Sequence, residues 1–224
     1  METLDLIVRF FQDGGPFMYP IALVLVVGLV IALERWIFLR HASLSNRRVY
    51  RELLPALRQR DYQTAMQLAE SSRAPIARII AAGIERMQQT SGRDSIEYAM
   101  EEGVMEALPR YERRTHYLAT LANIATLLGL LGTIIGLIAA FTAVANADPA
   151  QKASLLSQSI SVAMNTTAFG LMSAIPLLLA HAMLQSRTTE IVDSLEMAGV
   201  KLLNSLSEAT HAVRAPSADD AVVG

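Results

Sequence analysis

THYLATLANIATLLGLLGTIIGLIAAFTAVANA, at Thr115–Ala147, runs for 33 residues without an Asp, Glu, Lys or Arg. Two more stretches are equally free of formal charge, at Gly14–Leu33 and Ala153–Ser186. About 20 consecutive apolar residues are enough for a helix to cross the hydrocarbon core of a bilayer. Soluble proteins seldom hold one such stretch, so the sequence predicts an all-α membrane protein with three transmembrane helices.

The second and third helices are expected to be long and to extend into a helical cytoplasmic region. The reason is that 33 helical residues reach about 50 Å, whereas the hydrocarbon core is about 30 Å thick. A kink is expected at Pro109, before the second span. The predicted segments are a periplasmic amphipathic helix at residues 1–13, transmembrane helix 1 at 16–39, a cytoplasmic helical region at 40–114, transmembrane helix 2 at 115–146, a periplasmic turn at 147–153, transmembrane helix 3 at 154–186, a cytoplasmic helical extension at 187–210 and a disordered tail at 211–224.

Lysine and arginine are distributed unevenly around these spans. Of the 19 such residues, all but Arg9 and Lys152 lie on the side of the membrane that holds residues 40–114 and 187–224. The positive-inside rule places this side in the cytoplasm, so the N-terminus is predicted to be periplasmic and the C-terminus cytoplasmic. The first span is expected to be retained, because a cleaved signal peptide has a basic start and acidic residues outnumber Arg9 here.

Composition argues against several classes of function. The net charge of −2 gives no basic excess for a nucleic-acid partner. The absence of cysteine excludes disulfides and thiolate chemistry. The four histidines are scattered, and no metal-ligand spacing, nucleophile elbow or phosphate-binding loop is present in the sequence. We therefore expect a protein that is not an enzyme, with no metal site and no cofactor, and with membrane lipid among its partners.

Spans two and three are polar for helices in lipid, whereas span one has no hydroxyl or amide between Ile21 and Leu33. A single Ser or Thr in a membrane helix commonly bonds to its own backbone and does nothing else. Glycines four residues apart let another helix approach closely. Together these features predict a helix assembly around a polar cavity. The candidate pathway residues are Thr126, Thr133, Asn165, Thr166 and Thr167, and the candidate packing residues are Gly129, Gly132, Gly136 and Gly170.

Charged side chains are absent from spans two and three. A membrane carboxylate is the usual proton relay. If ions cross this protein, the titrating group is therefore expected to come from a partner helix. At the end of span one, Glu34 and Arg35 form a predicted charge pair at the inner interface, a usual place for snorkelling side chains.

Two motifs in the polar spans resemble those of a known family. Residues 125–133, ATLLGLLGT, resemble the A-P-L-L-G-L-L-G-T signature of the ExbB/TolQ branch of the MotA/TolQ/ExbB proton channel family. Residues 165–171, NTTAFGL, followed by Ala174-Ile175-Pro176, resemble the T-A-x-G-L-x-x-A-I-P motif of its third span. The three-span plan is similar to that of ExbB and TolQ and differs from four-span MotA.

This resemblance implies a stator-like subunit of a motor driven by an ion-motive force in the bacterial inner membrane. It implies a homopentamer whose second and third spans line a pore around an ExbD/TolR-like dimer of single-span chains, which supply a membrane Asp. It further implies energy transfer to a periplasmic or outer-membrane system, through a TonB- or TolA-like protein that spans the periplasm. Thr133 and Thr167 match the pore threonines of the family.

Two departures from the family pattern bear on the transported ion. Thr126 stands where the family has a proline, and Val162 stands where ExbB and TolQ carry an acid. Thr126, Asn165 and Thr166 offer oxygen atoms of the kind that Na⁺ prefers. The translocated ion is expected to be H⁺, with Na⁺ as the alternative.

A non-conducting membrane scaffold is the alternative function, because glycine steps and scattered hydroxyls also serve helix assembly. The sequence leaves open whether the physiological task is nutrient uptake, envelope integrity or motility.

Overall fold

A computed structural model describes residues 10–11, 14–89, 92–145 and 147–214, with the backbone alone for 205–214. No β-strand occurs within these ranges. From Met18 onward the helices are α1 (Met18–Arg58), α2 (Tyr62–Glu70), α3 (Pro75–Gln89), α4 (Arg93–Glu112), α5 (Thr115–Ala145) and α6 (Lys152–Arg214). Three of them, α1, α5 and α6, contain stretches long and apolar enough to cross a membrane. The predicted all-α class with three spanning helices is confirmed.

Several predicted segments end differently in the structure. Pro109, where a kink is predicted, lies in the last turn of α4, and the chain turns between α4 and α5 at Arg113 and Arg114, the latter with φ at +67°. At the other end, α6 continues to Arg214, four residues into the segment predicted as a tail, and residues 215–224 lie outside the described part.

The chain forms two compact units. The membrane unit comprises Met1–Trp36 and Arg114–Gln185, and the charged unit comprises Ile37–Arg113 and Ser186–Gly224. In the membrane unit, the turn between α5 and α6 is closed by the carbonyl oxygen of Asp148, which accepts the backbone N–H groups of Gln151 and Lys152. The predicted amphipathic helix at residues 1–13 lies outside the described residues except for Phe10 and Phe11, and Phe11 packs edge-on against Phe169 with ring centroids 5.0 Å apart.

The charged unit has an apolar core of its own. The inner face of α3 buries isoleucines at helical spacing, and α6 buries Leu195 and Leu202 with their neighbours on one face. Asn46 donates through Nδ2 to the Tyr111 hydroxyl at 3.0 Å, so a buried polar contact joins α1 and α4. Burial of isoleucine and leucine side chains stabilises such a unit by about 1.5–3 kcal/mol each.

The start of α2 is held by a side-chain cap. The Asp61 carboxylate accepts the hydroxyl of Thr64 at 2.6 Å and its backbone N–H at 3.0 Å. Both hydrogen bonds favour the ionised acid, so they lower the pKa of Asp61, the hydroxyl contributing most. The cap therefore depends on a carboxylate that stays charged.

Candidate ion pathway

The polar spans α5 and α6 touch backbone to backbone at two glycines. A Cβ atom added to Gly170 would lie 2.8 Å from the carbonyl oxygen of Ala125 and 3.0 Å from Cα of Gly129. Both of these are backbone atoms, which cannot rotate away. Small residues at such a crossing permit close approach between membrane helices. The contact fixes the register of the two spans.

The predicted glycine step in α5 continues the same contact. A Cβ on Gly136 would lie 2.9 Å from Cβ of Ala163, and Gly132 faces the side chain of Thr166. The structure thus places all four candidate packing glycines along the line where α5 meets α6. These residue pairs run in opposite directions along the chain, as an antiparallel helix pair requires.

Close approach at Gly129 allows a hydrogen bond between the two spans. The Thr167 hydroxyl donates to the carbonyl oxygen of Gly129 at 2.8 Å. This bond links a candidate pathway residue to a candidate packing residue, and sequence spacing gave no sign of it. It holds the Thr167 side chain in one orientation at the crossing.

Hydroxyls on α5 bond within their own helix. Thr133 donates to the carbonyl oxygen of Leu130 at 2.6 Å, and Thr126 donates to that of Ala122 at 3.1 Å. Both side chains are half-buried. A hydroxyl that donates its proton to a backbone carbonyl keeps the lone pairs on its own oxygen. Thr126, Thr133 and Thr167 can therefore each accept a hydrogen bond from a protonated group or contact a cation.

Thr133 and Thr167 lie at a similar level along the antiparallel pair. Gly132 is opposite Thr166, so their neighbours in sequence, Thr133 and Thr167, are within about one turn of each other along the helix axes. The structure therefore brings the two matched threonines to the same depth of the membrane unit. Asn165 is half-buried and lies two residues before Thr167, about half a turn from this level.

Thr166 has a different environment from its neighbour Thr167. It is 2% exposed, and its single hydroxyl proton is shared between the carbonyl oxygens of Gly14, at 2.6 Å, and Val162, at 2.9 Å. The contact with Gly14 attaches the segment before α1 to α6 inside the protomer. The geometry therefore gives Thr166 a tertiary contact within the membrane unit, although the sequence had grouped it with the pathway residues.

The two charged residues at the end of span one differ in their exposure to solvent. Glu34 accepts Nη1 of Arg114 at 3.2 Å, and both side chains are partly exposed. Arg35 is only 3% exposed. Adjacent helical residues point about 100° apart, so Glu34 reaches a residue far along the chain that sequence reasoning did not identify.

Two features of the membrane unit were not assigned as site residues. Ser173 is fully buried, and its hydroxyl oxygen has no hydrogen-bond partner among the described residues. Gly28, in the otherwise bulky stretch LVLVVGLVIAL, faces the side chain of Leu177. The isolated glycine was a signal in the sequence that α1 packs closely on α6.

The chain is similar to proteins of a known family. Residues 71–197 match the MotA/TolQ/ExbB proton channel family. A biopolymer transport protein ExbB homologue of Methanothermobacter thermautotrophicus is 28% identical over 85% of this chain and 67% of its own length. An ExbB-like biopolymer transport protein of Synechocystis sp. is 30% identical over 86% of this chain and 76% of its own. The Tol-Pal system protein TolQ of Haemophilus influenzae is 33% identical over 42% of this chain and 40% of its own.

The matched region includes α5, most of α6 and the contact between them, and it extends back through α3 and α4. Three apolar helices make the chain a multi-pass membrane protein. The chain therefore belongs to the MotA/TolQ/ExbB proton channel family, in its ExbB/TolQ-like branch.

Proposed function

We propose that this protein is a stator-like subunit of an ion-driven energy transducer in the bacterial inner membrane, and not an enzyme. The proposal rests on one observation above all. Thr133 on α5 and Thr167 on α6 are level with each other, and each hydroxyl donates to a backbone carbonyl. Their oxygens are therefore left as acceptors at one depth of a polar helix pair.

A pathway of hydroxyl acceptors needs a titrating group from elsewhere. Spans two and three carry no carboxylate or amine, as the sequence states. In the proposal, an acid on an ExbD/TolR-like single-span dimer carries the ion past Thr133 and Thr167. A homopentamer encloses that dimer, with its N-termini in the periplasm and its C-termini in the cytoplasm. A TonB- or TolA-like protein would pass the resulting work to the periplasm or outer membrane.

The proposed ion is H⁺, and the hydroxyls are also suited to Na⁺. Val162 stands at the position of the family acid, and its side chain faces Gly15. Thr166 is 2% exposed and its hydroxyl contacts carbonyl oxygens inside the protomer, so its oxygen is poorly accessible to Na⁺ in this arrangement. Function measured without Na⁺ at a constant proton gradient distinguishes the two ions, because obligatory Na⁺ coupling would stop it.

The test replaces each matched threonine by its near-isosteric apolar counterpart. Thr133→Val and Thr167→Val should each lower ion flux through the reconstituted complex at least about tenfold, equivalent to about 1.4 kcal/mol in a barrier. Thr133→Ser and Thr167→Ser retain the oxygen and should retain most of the flux. Thr120→Val is the matched control, because that hydroxyl also bonds within α5 but lies three turns or more from Thr133.

The alternative is a non-conducting scaffold. It is favoured by the fact that the hydroxyls of Thr126, Thr133, Thr166 and Thr167 all bond to backbone, as structural threonines do. Under this alternative, assembled complexes of Thr133→Val and Thr167→Val would keep full energised function. That result would reject the pathway assignment.

A further inference from the structure

One face of the charged unit carries a groove with an apolar floor and an acidic rim. The groove has a volume of about 340 Å³ and lies between α4 and α6. Met105 and Val200 are exposed apolar residues that line it, and Met105 is 69% exposed. The rim consists of the carboxylates of Glu97, Glu101 and Glu196, and the lining residues include no lysine or arginine.

A basic ridge lies on α1 of the same unit. The ridge consists of neighbouring exposed residues of α1, namely Leu44, Arg47, Arg48, Arg51 and Glu52, and Leu44 is 59% exposed. Arg48 pairs with Glu52 along the helix at 3.0 Å. Arg47 and Arg51 remain as the net positive charge around an exposed leucine. The ridge thus has a charge opposite to that of the groove rim, and an exposed apolar side chain that matches the apolar floor of the groove.

The groove and a second depression, which shares Arg47 with the ridge, lie at the same level on opposite sides of α6. Arg47 and Tyr50 line a second depression with Ser194, Met197 and Lys201, whereas the acidic groove takes Leu195 to Leu203 from the same stretch of α6. At about 100° per residue, these two sets point to opposite sides of the helix. A copy rotated about an axis parallel to α6 would therefore present its ridge to the groove of its neighbour.

We propose that the acidic groove binds the basic ridge of a second copy of this chain. Leu44 enters the apolar floor between Met105 and Val200, and Arg47 and Arg51 pair with Glu101 and its neighbours on the rim. Such a contact is head-to-tail, so repeated copies close into a ring when the rotation permits. The inference deepens the proposed assembly by naming its surfaces outside the membrane unit, and it rests on the chain forming a homo-oligomer.

The native chain lacks cysteine, which permits a direct test in membranes. Leu44→Cys and Met105→Cys are placed in one chain and treated with a short bis-maleimide. The expected product is a ladder in steps of 24.4 kDa. Each single-cysteine variant should give no ladder, and the two single variants co-expressed should stop at dimers. Leu44→Cys with Leu68→Cys is the matched control, because Leu68 is an exposed leucine on α2, away from the groove.

Charge reversal tests the electrostatic half of the proposal. In the cross-linking background, Glu101→Arg and Arg47→Glu should each lower the ladder yield about threefold, the scale of an exposed ion pair. The two reversals combined in one chain restore opposite charges at every interface and should restore the yield. If the two surfaces lie close together without pairing of their charges, the combined reversal will not restore the ladder yield, and the proposed charge pairing is wrong.

Cross-links to a protein of another mass would overturn the proposal. It would also be overturned if the double-cysteine variant gave no ladder, whether that variant still formed oligomers or was monomeric. Ion flux is measured on the same variants. A ladder with rescue but without ion flux would leave the groove contact standing and count against the proposed function. Ion flux without a ladder would count against the groove contact and leave the proposed function standing.

Discussion

Replacement of Gly170 by alanine tests the contact on which the membrane unit depends. The added Cβ would lie 2.8 Å from the carbonyl oxygen of Ala125, about 0.6 Å short of ordinary van der Waals separation. If α5 and α6 moved apart by that amount, the Thr167–Gly129 hydrogen bond of 2.8 Å would lengthen to about 3.4 Å, beyond good geometry.

The expected change in the free energy of unfolding combines two destabilising contributions and one stabilising contribution. Overpacking of a close contact costs about 1–3 kcal/mol. The weakened interhelical hydrogen bond adds about 0.6 kcal/mol. Alanine favours helix over glycine by about 0.5–1 kcal/mol, which partly offsets both. Gly170→Ala should therefore lower the free energy of unfolding by about 2 kcal/mol, roughly a 30-fold change in the ratio of folded to unfolded chains.

The assay is reversible unfolding of the purified chain in bicelles, followed by circular dichroism. Gly199→Ala in the same helix is the matched control, because its Cβ would meet only the flexible tip of Met100 at 3.3 Å. That variant should be neutral or slightly more stable than the native chain. If the Gly170→Ala variant unfolds at the same midpoint as the native chain, the backbone contact between α5 and α6 is not as described. The inference that Thr133 and Thr167 lie at the same level would then be unsupported.

Three other perturbations give predictions. Thr166→Val removes the hydroxyl proton that the carbonyl oxygens of Gly14 and Val162 share and should cost about 1–3 kcal/mol of stability, measured by the same unfolding assay, while ion flux per assembled complex is unchanged. Tyr111→Phe deprives the buried Asn46 amide of its acceptor, so the free energy of unfolding should fall by about 1–3 kcal/mol, whereas unchanged stability would contradict that contact. The pKa of Asp61 is lower in the folded state than in the unfolded state. Its contribution to the free energy of unfolding is therefore present above the unfolded pKa of about 3.9 and is lost as pH falls through the folded pKa. Asp61→Ala should be less stable than the native chain at neutral pH, and the two stabilities should converge in acid.

The two threonines of the motif NTTAFGL illustrate the limit of sequence reasoning. Thr166 and Thr167 are adjacent and chemically identical, and both were predicted to line the pathway. Their side chains point about 100° apart, so one bonds within the protomer to the segment before α1 and the other bonds to α5. The direction of each side chain depends on how α6 is rotated about its axis, which its own sequence does not state.

Glu34 shows the same limit for charge. The sequence placed it correctly at the end of an apolar stretch, beside Arg35. Its partner in the structure is Arg114, 80 residues away. Local spacing identifies neighbours along a helix, and only packing brings together residues from different spans.

The amino-acid sequence determined that this protein is helical and crosses a membrane three times, because the cost of placing charge in hydrocarbon acts on each residue in turn and can be read along one dimension. Its motifs also identified the family. Tertiary structure decided which threonines keep an available oxygen, which glycines bring α5 against α6, and where groove and ridge lie on the charged unit. These depend on the register and rotation of whole helices, which are set by contacts between residues distant in the chain.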